Sequence, residues 1–132
     1  MKLTVHVDGG SRGNPGPAAI AAVLSDEDGE VIDSAGEVIG RATNNVAEYR
    51  ALIFGIERAR ALGATELELV GDSELIVKQV RGEYRVKDPN MKPLHAAVVE
   101  ALSGLDAWSI RHVKRHLNAE ADRLVNEALD RG

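Results

Sequence analysis

The sequence contains no cysteine. That excludes disulfides, thiolate metal sites and thiol nucleophiles, and leaves oxygen and imidazole as the strong metal ligands. It also fits a reducing cytoplasm, which is the expected location. Aromatic residues are 3% of the chain, too few for a platform on which single strands stack. No apolar run is long enough to span a membrane, and no charged-then-apolar leader opens the chain. Positive charge is short as well. A formal net charge of -5 argues against a protein that coats nucleic acid through bulk electrostatics. Acidic residues can still meet a polyanion if they hold divalent cations, which then supply positive charge locally.

What is present suits an ordinary globular chain. Hydrophobic residues are 44% and charged residues 28%, and 132 residues suit one domain, 1–132, with one modest core. Leu3, Val5 and Val7 alternate with Thr4 and His6, the period of a strand, which is expected to end on Asp8. A turn rich in glycine follows, with Gly9, Gly10, Gly13 and Gly16. Ala18–Leu24 reads as a buried second strand and Ser25–Gly29 as a hairpin loop. Glu30–Ile39 reads as a third strand, where Gly36 suggests a bulge or an edge position. Thr43, Asn44 and Asn45 then offer caps for a helix running to about Leu62, before Gly63.

Thr65–Val70 alternates as a fourth strand, and Ser73–Arg81 is a short helix. After an irregular stretch, Pro93–Leu102 is helical, Trp108–Val113 is a fifth strand, and a last helix starts near Asn118. The order β-β-β-α-β-α-α-β-α predicts an α/β fold. Its five-stranded mixed sheet combines an antiparallel meander of strands 1–3 with parallel strands 4 and 5, and helices cover both faces.

In such sheets, sites form where neighbouring parallel strands end. Asp8 and Asp72 stand at the ends of strands one and four. Glu48 is expected in the first turn of the long helix, on the packing face of Ala51, Leu52 and Gly55. Asp122 lies in the first turn of the last helix. Each has a local alternative: a polar turn for Asp8, a cap onto Asn45 for Glu48, an N-cap for Asp72, and a helix-dipole partner for Asp122. All four, however, sit at the same ends of their elements. Carboxylates gathered there repel one another unless cations bind. Mg²⁺ is the natural ion, and two ions would match four carboxylates. Two-metal sites of this kind serve phosphoryl transfer.

With these residues placed, the sequence resembles a short-form type 1 ribonuclease H along almost its whole length. The matching motifs are Val7–Pro17 (VDGGSRGNPGP), Thr43–Glu48 (TNNVAE), Gly71–Ser73 (GDS) and Val113–Asp122 (VKRHLNAEAD). The resemblance implies a ribonuclease H-like fold and an endonuclease that cuts the RNA strand of RNA–DNA hybrids, leaving 5′-phosphate and 3′-hydroxyl ends. It implies that Asp8, Glu48, Asp72 and Asp122 hold two Mg²⁺ ions, with Mn²⁺ as an alternative. It assigns Asn14, Asn44 and the backbone of Gly9, Gly10 and Ser11 to the RNA strand. Arg41 and Thr43, with Asn90, match a pocket for a DNA phosphate, and Ser73 joins the substrate contacts. In the loop before Asp122, His116 matches a residue that helps product release or proton transfer, and Arg115 could take that role instead. The implied partner is the hybrid duplex, with no membrane and a monomeric protein.

Two rival readings keep parts of this picture: a related nuclease acting on DNA, and a non-catalytic module that binds hybrids. The Thr43–Asn45 and Gly13–Pro17 segments favour the hybrid-cutting branch, and the presence of all four acids disfavours the binding module.

Longer relatives carry a basic helix where this chain has only Arg81–Lys92, and Glu83 and Asp88 dilute its Arg81, Arg85, Lys87 and Lys92. Hybrid affinity should be weaker than that of a long-form enzyme at matched salt and should fall steeply as salt rises. A binding titration over a salt series checks this, and a long-form-like affinity contradicts it.

Overall fold

In a computed structural model describing residues 1–132, the alternation at the start of the chain forms a longer strand than expected. β1 is Lys2–Ser11, β2 Gly16–Ser25, β3 Val31–Ala42, α1 Asn44–Ala61, β4 Glu66–Gly71, α2 Glu74–Val80, α3 Lys92–Ser103, β5 Ala107–His112 and α4 Ala119–Arg131. A 3₁₀ turn, Arg115–Asn118, leads into α4. The sheet order is β3-β2-β1-β4-β5. β1–β2 and β2–β3 pair antiparallel, while β1–β4 and β4–β5 pair parallel.

Asp8 therefore does not end its strand. β1 stays paired with β2 as far as Ser11 opposite Ala18. Its pairing with β4 stops earlier, at His6 opposite Val70. Asp8 lies just past the end of one ladder and inside the other. Gly36 lies on the edge strand but not at a bulge. The register shifts fall elsewhere, where β3 passes Ala18/Ala19 and Leu24/Ser25 of β2. The missing side chain at Gly36 instead makes room for α4, because a Cβ there would sit 2.9 Å from the Leu124 carbonyl oxygen.

The apolar run of β2 has a simple cause: both of its faces are covered. Ile20, Ala22 and Leu24 join Leu3, Val5 and Val7 in a core against Leu52, Ile56 and Ala59 of α1. Ala19 and Ala21 pack on Val125 and Ala128 of α4 on the opposite face. α1 begins at its cap Thr43, whose hydroxyl accepts from Val46 N–H. Tyr49 is fully buried, and its hydroxyl donates to Gln79 Oε1 at 2.6 Å. It ties α1 to α2 and is out of reach of any base. Trp108, half-exposed on β5, is a rim residue. No helix is long and apolar enough to cross a membrane.

Arg58 near the end of α1 grips Asp33 of β3 with two bonds, Nε to Oδ2 at 2.8 Å and a terminal nitrogen to Oδ1 at 3.0 Å. The Arg58 hydrogen bonds hold the Asp33 carboxyl below its ordinary range. A depressed folded-state value means that the pair's contribution is present above the unfolded value, about pH 4, and is lost as pH falls through the folded one. Asp33→Asn should cost about 1 kcal/mol at pH 7 and less at pH 2. Urea unfolding at the two pH values measures the difference.

Candidate active site

The site begins with a contact between backbones. α1 crosses β1 so closely at Gly9 that a Cβ there would lie 2.2 Å from the Ala47 carbonyl oxygen. Only glycine fits. The approach brings Glu48 over the strand, and the Gly9 N–H donates to Glu48 Oε1 at 3.1 Å. With Thr43 as cap and Asn44 as the first helical residue, Glu48 stands in the second turn rather than the first, and it bonds to β1 instead of turning back to Asn45. The room left by Gly9 is thus taken by the helix.

Asp72 follows β4. The cap of α2 is its neighbour Ser73, whose hydroxyl accepts from Ile76 N–H at 3.4 Å. That leaves the Asp72 carboxylate free of helix duty. Its Oδ2 accepts from Asn118 Nδ2 at 3.2 Å. The ligand oxygens of Asp8, Glu48 and Asp72 all lie within 4.8 Å of one another. Asp122 stands apart from that group, in the first turn of α4, with Oδ1 3.6 Å from an Arg115 terminal nitrogen.

Asp8 and Glu48 are buried, 3% and 8% exposed. Burial, then the charge of Asp72, pushes the Asp8 carboxyl up to about 6. Burial, then the neighbouring Asp8, raises Glu48 well above the glutamate range. Three converging oxygen donors, short of compensating positive charge, fit a hard divalent cation. A bound cation would offset the repulsion that raises Asp8 and Glu48.

The other expected residues divide into two groups. Ser11, Asn14 and Asn44 are locked together. Asn14 Oδ1 accepts from Asn44 N–H at 3.0 Å, and Asn44 Oδ1 accepts from Ser11 N–H at 2.9 Å and from its hydroxyl at 3.2 Å. Ser11 Oγ also bonds the Gly13 carbonyl. Both asparagines spend their oxygens here and keep their N–H₂ groups outside the network. Gly10 lies beside them, on β1. Arg12 staples the same turn to α4, 2.7 Å from Asp130.

The second group is less organised. Arg41 is exposed near the end of β3. Thr43 uses its hydroxyl as the α1 cap. Asn90 lies in an exposed turn where its N–H donates to Asp88 Oδ1. His116 is exposed in the 3₁₀ turn, and it is Arg115 beside it that reaches a carboxylate. In the shortened basic stretch, Arg81 is spent on the Ile110 carbonyl at 2.9 Å. Asn118 emerges as a site residue that sequence reasoning treated only as a helix start. The available signal was its position four residues before Asp122, one helical turn away.

Comparison with known proteins agrees with this geometry. Residues 6–128 match the family model described as reverse transcriptase-like. The chain is 48% identical to ribonuclease HI of Halobacterium salinarum, over 98% of this chain and 65% of that protein. A crystal structure of RNase H1 from that organism matches with a TM-score of 0.98 at 47% identity, covering 100% of both chains. The N-terminal RNase H domain of a Mycobacterium tuberculosis protein matches with a TM-score of 0.95 at 44% identity, over 98% of this chain and 100% of that one. An RNase H1 isolated from compost, solved in complex with an RNA/DNA hybrid, matches with a TM-score of 0.93 at 42% identity, over 98% and 97% of the two chains. The chain spans just under two thirds of the curated Halobacterium relative, at 65%, and 36% of the bifunctional Mycobacterium tuberculosis protein.

The mixed sheet with acids converging on the β1–β4 edge defines the ribonuclease H-like class of α/β proteins. Within that class, the chain belongs to the type 1 ribonuclease H family.

The raised carboxyls of the acidic group make a prediction about stability. A carboxyl whose folded value lies above its unfolded one destabilises the fold progressively as pH rises from about 4 to the folded value. Without divalent ions, Asp8→Asn should therefore stabilise the protein at pH 7.5, with a ceiling of about 3 kcal/mol, and the gain should vanish near pH 3. Thermal melts of both proteins in chelator at the two pH values test this.

Proposed function

We propose that this protein is a divalent-cation-dependent endoribonuclease that hydrolyses the RNA strand of RNA–DNA hybrids, leaving 5′-phosphate and 3′-hydroxyl ends. The observation that carries the proposal is the convergence within 4.8 Å of Asp8, Glu48 and Asp72 oxygens, from β1, α1 and the turn after β4. The likeness to an RNase H1 solved with an RNA/DNA hybrid supports the choice of substrate.

In this reading Asp8, Glu48 and Asp72, together with Asp122, hold two Mg²⁺ ions, for which Mn²⁺ can substitute. Such ions supply the charge that activates water and stabilises the leaving oxygen in phosphodiester hydrolysis. The chain's own residues orient the duplex. The N–H₂ groups that Asn14 and Asn44 keep outside their network donate to the 2′-hydroxyls, a feature only RNA presents. Gly10, beside them, leaves the strand end without bulk, and Gly9 and Ser11 shape the same turn. Arg41, Thr43 and Asn90 take a phosphate of the DNA strand, and Ser73 borders the cleft. Arg115 partners Asp122 and the departing phosphate. His116, on the same turn, assists product release or proton transfer, a role that Arg115 can take instead. The protein acts as a cytoplasmic monomer, one domain spanning 1–132.

The test compares one sequence as hybrid, duplex DNA and duplex RNA, with and without Mg²⁺. Cleavage confined to the RNA of the hybrid, and dependent on the ion, is expected. Asp8→Asn and Asp72→Asn should each lower the rate by at least about a thousandfold with unchanged circular dichroism. Undiminished cleavage by either variant refutes the site.

A further inference from the structure

We propose that Asn118 is a positioning residue for Asp72: its single amide group ties that carboxylate to the β1 backbone and so sets the spacing of the acidic group. The proposal rests on reading Asp8, Glu48 and Asp72 as a divalent-cation site.

Asn118 closes the 3₁₀ turn ahead of α4 and is only 2% exposed, although the residues on either side of it are exposed. Its Nδ2 donates to the Val7 carbonyl oxygen at 2.8 Å and to Asp72 Oδ2 at 3.2 Å. Chemistry fixes the orientation of this amide. A backbone carbonyl and a carboxylate can only accept, so the nitrogen must face both.

The place of the first bond is informative. Val7 is the first β1 residue beyond the last β1–β4 pair, His6 opposite Val70. Where the partner strand leaves, a backbone group needs a substitute partner. One N–H of Asn118 supplies it at Val7, the residue that precedes Asp8 in the chain. The other N–H takes Asp72 as the chain leaves β4. One side chain thus links the backbone next to Asp8 with the Asp72 carboxylate.

The arrangement leaves the other end of the amide unsatisfied. Asn118 Oδ1 is the one buried side-chain polar atom in the protein without a hydrogen-bond partner. An orphaned buried acceptor costs about 1–3 kcal/mol. An apolar side chain of similar shape would fill the same space without that penalty. What it could not do is satisfy the Val7 carbonyl or hold Asp72.

The experiment measures Mn²⁺ affinity by calorimetry, without nucleic acid, for the unmodified protein, Asn118→Ala and Asn118→Leu. The leucine variant keeps the volume and removes the donors, so it guards against loss of fold through a cavity. Partners that orient a metal ligand are worth about tenfold or more in metal affinity. Both variants should bind Mn²⁺ at least about tenfold more weakly, while hybrid affinity in chelator stays unchanged.

A structural role would move the melting temperature and leave Mn²⁺ affinity alone. Unchanged affinity in the folded variants therefore overturns the inference and leaves the cation site standing. Absence of Mn²⁺ binding by the unmodified protein overturns the site reading and the inference with it. Failure of both variants to fold also overturns it, since Asn118 would then be a structural residue.

Discussion

The close passage of α1 over β1 at Gly9 is the constraint on which the acidic site depends. It needs a residue without a side chain, and it brings the Ala47 carbonyl to where a Cβ would be. Once the helix is that close, Glu48 can accept from the Gly9 N–H, and its carboxylate comes to the neighbours of Asp8. A helix pushed outward by one methyl group would take Glu48 away from both. Gly55 repeats the device lower on the same helix, where a Cβ would meet Val5 Cγ1 at 2.8 Å. Two glycines on facing elements thus fix the height of α1 above the sheet.

That geometry places like charges together and removes them from water. Burial and the neighbouring acids raise both Asp8 and Glu48, so in the absence of cations the site resists ionising fully. The rest of the molecule is arranged to tolerate this. Both faces of β2 are packed with apolar side chains, and the buried Tyr49 and Gln79 satisfy each other. Around the acids, polar groups are held by neighbours rather than by solvent: Ser11, Asn14 and Asn44 in one network, Asn118 in another. The pattern is a rigid frame around a group of charges that repel one another, which favours a bound cation over rearrangement.

Much of the fold was legible in the sequence because it depends on periodicity. Alternation in Leu3–Val7 and Thr65–Val70, the apolar run of β2 and the capped helix α1 gave the mixed sheet and its two helical layers. What was not legible depends on partners. Asp8 looked like a strand end because the local pattern cannot reveal that β2 continues to pair after β4 has stopped. The turn of Glu48 depended on which of Thr43, Asn44 and Asn45 caps the helix, and Thr43 does. At Asp72 the cap passes to Ser73, one residue on. Asn118 was hardest, because its importance comes from a carbonyl on β1 and a carboxylate after β4, both distant in sequence.

The two-sided burial of β2 has one more consequence, which concerns the unfolded chain. From Ala18 to Leu24 there is no charge, no proline and no polar side chain: Ile20, Ala22 and Leu24 face the core under α1, and Ala19 and Ala21 face α4. Freed from those helices, the segment has the features of a self-pairing strand: short, apolar and uncharged. Its flanks carry the residues that interrupt such pairing, with Pro15 and Pro17 before it and Asp26, Glu27, Asp28 and Glu30 after it. The acidic hairpin loop, which touches nothing in the active site, thus acts as a gatekeeper against aggregation while β2 waits for its covers.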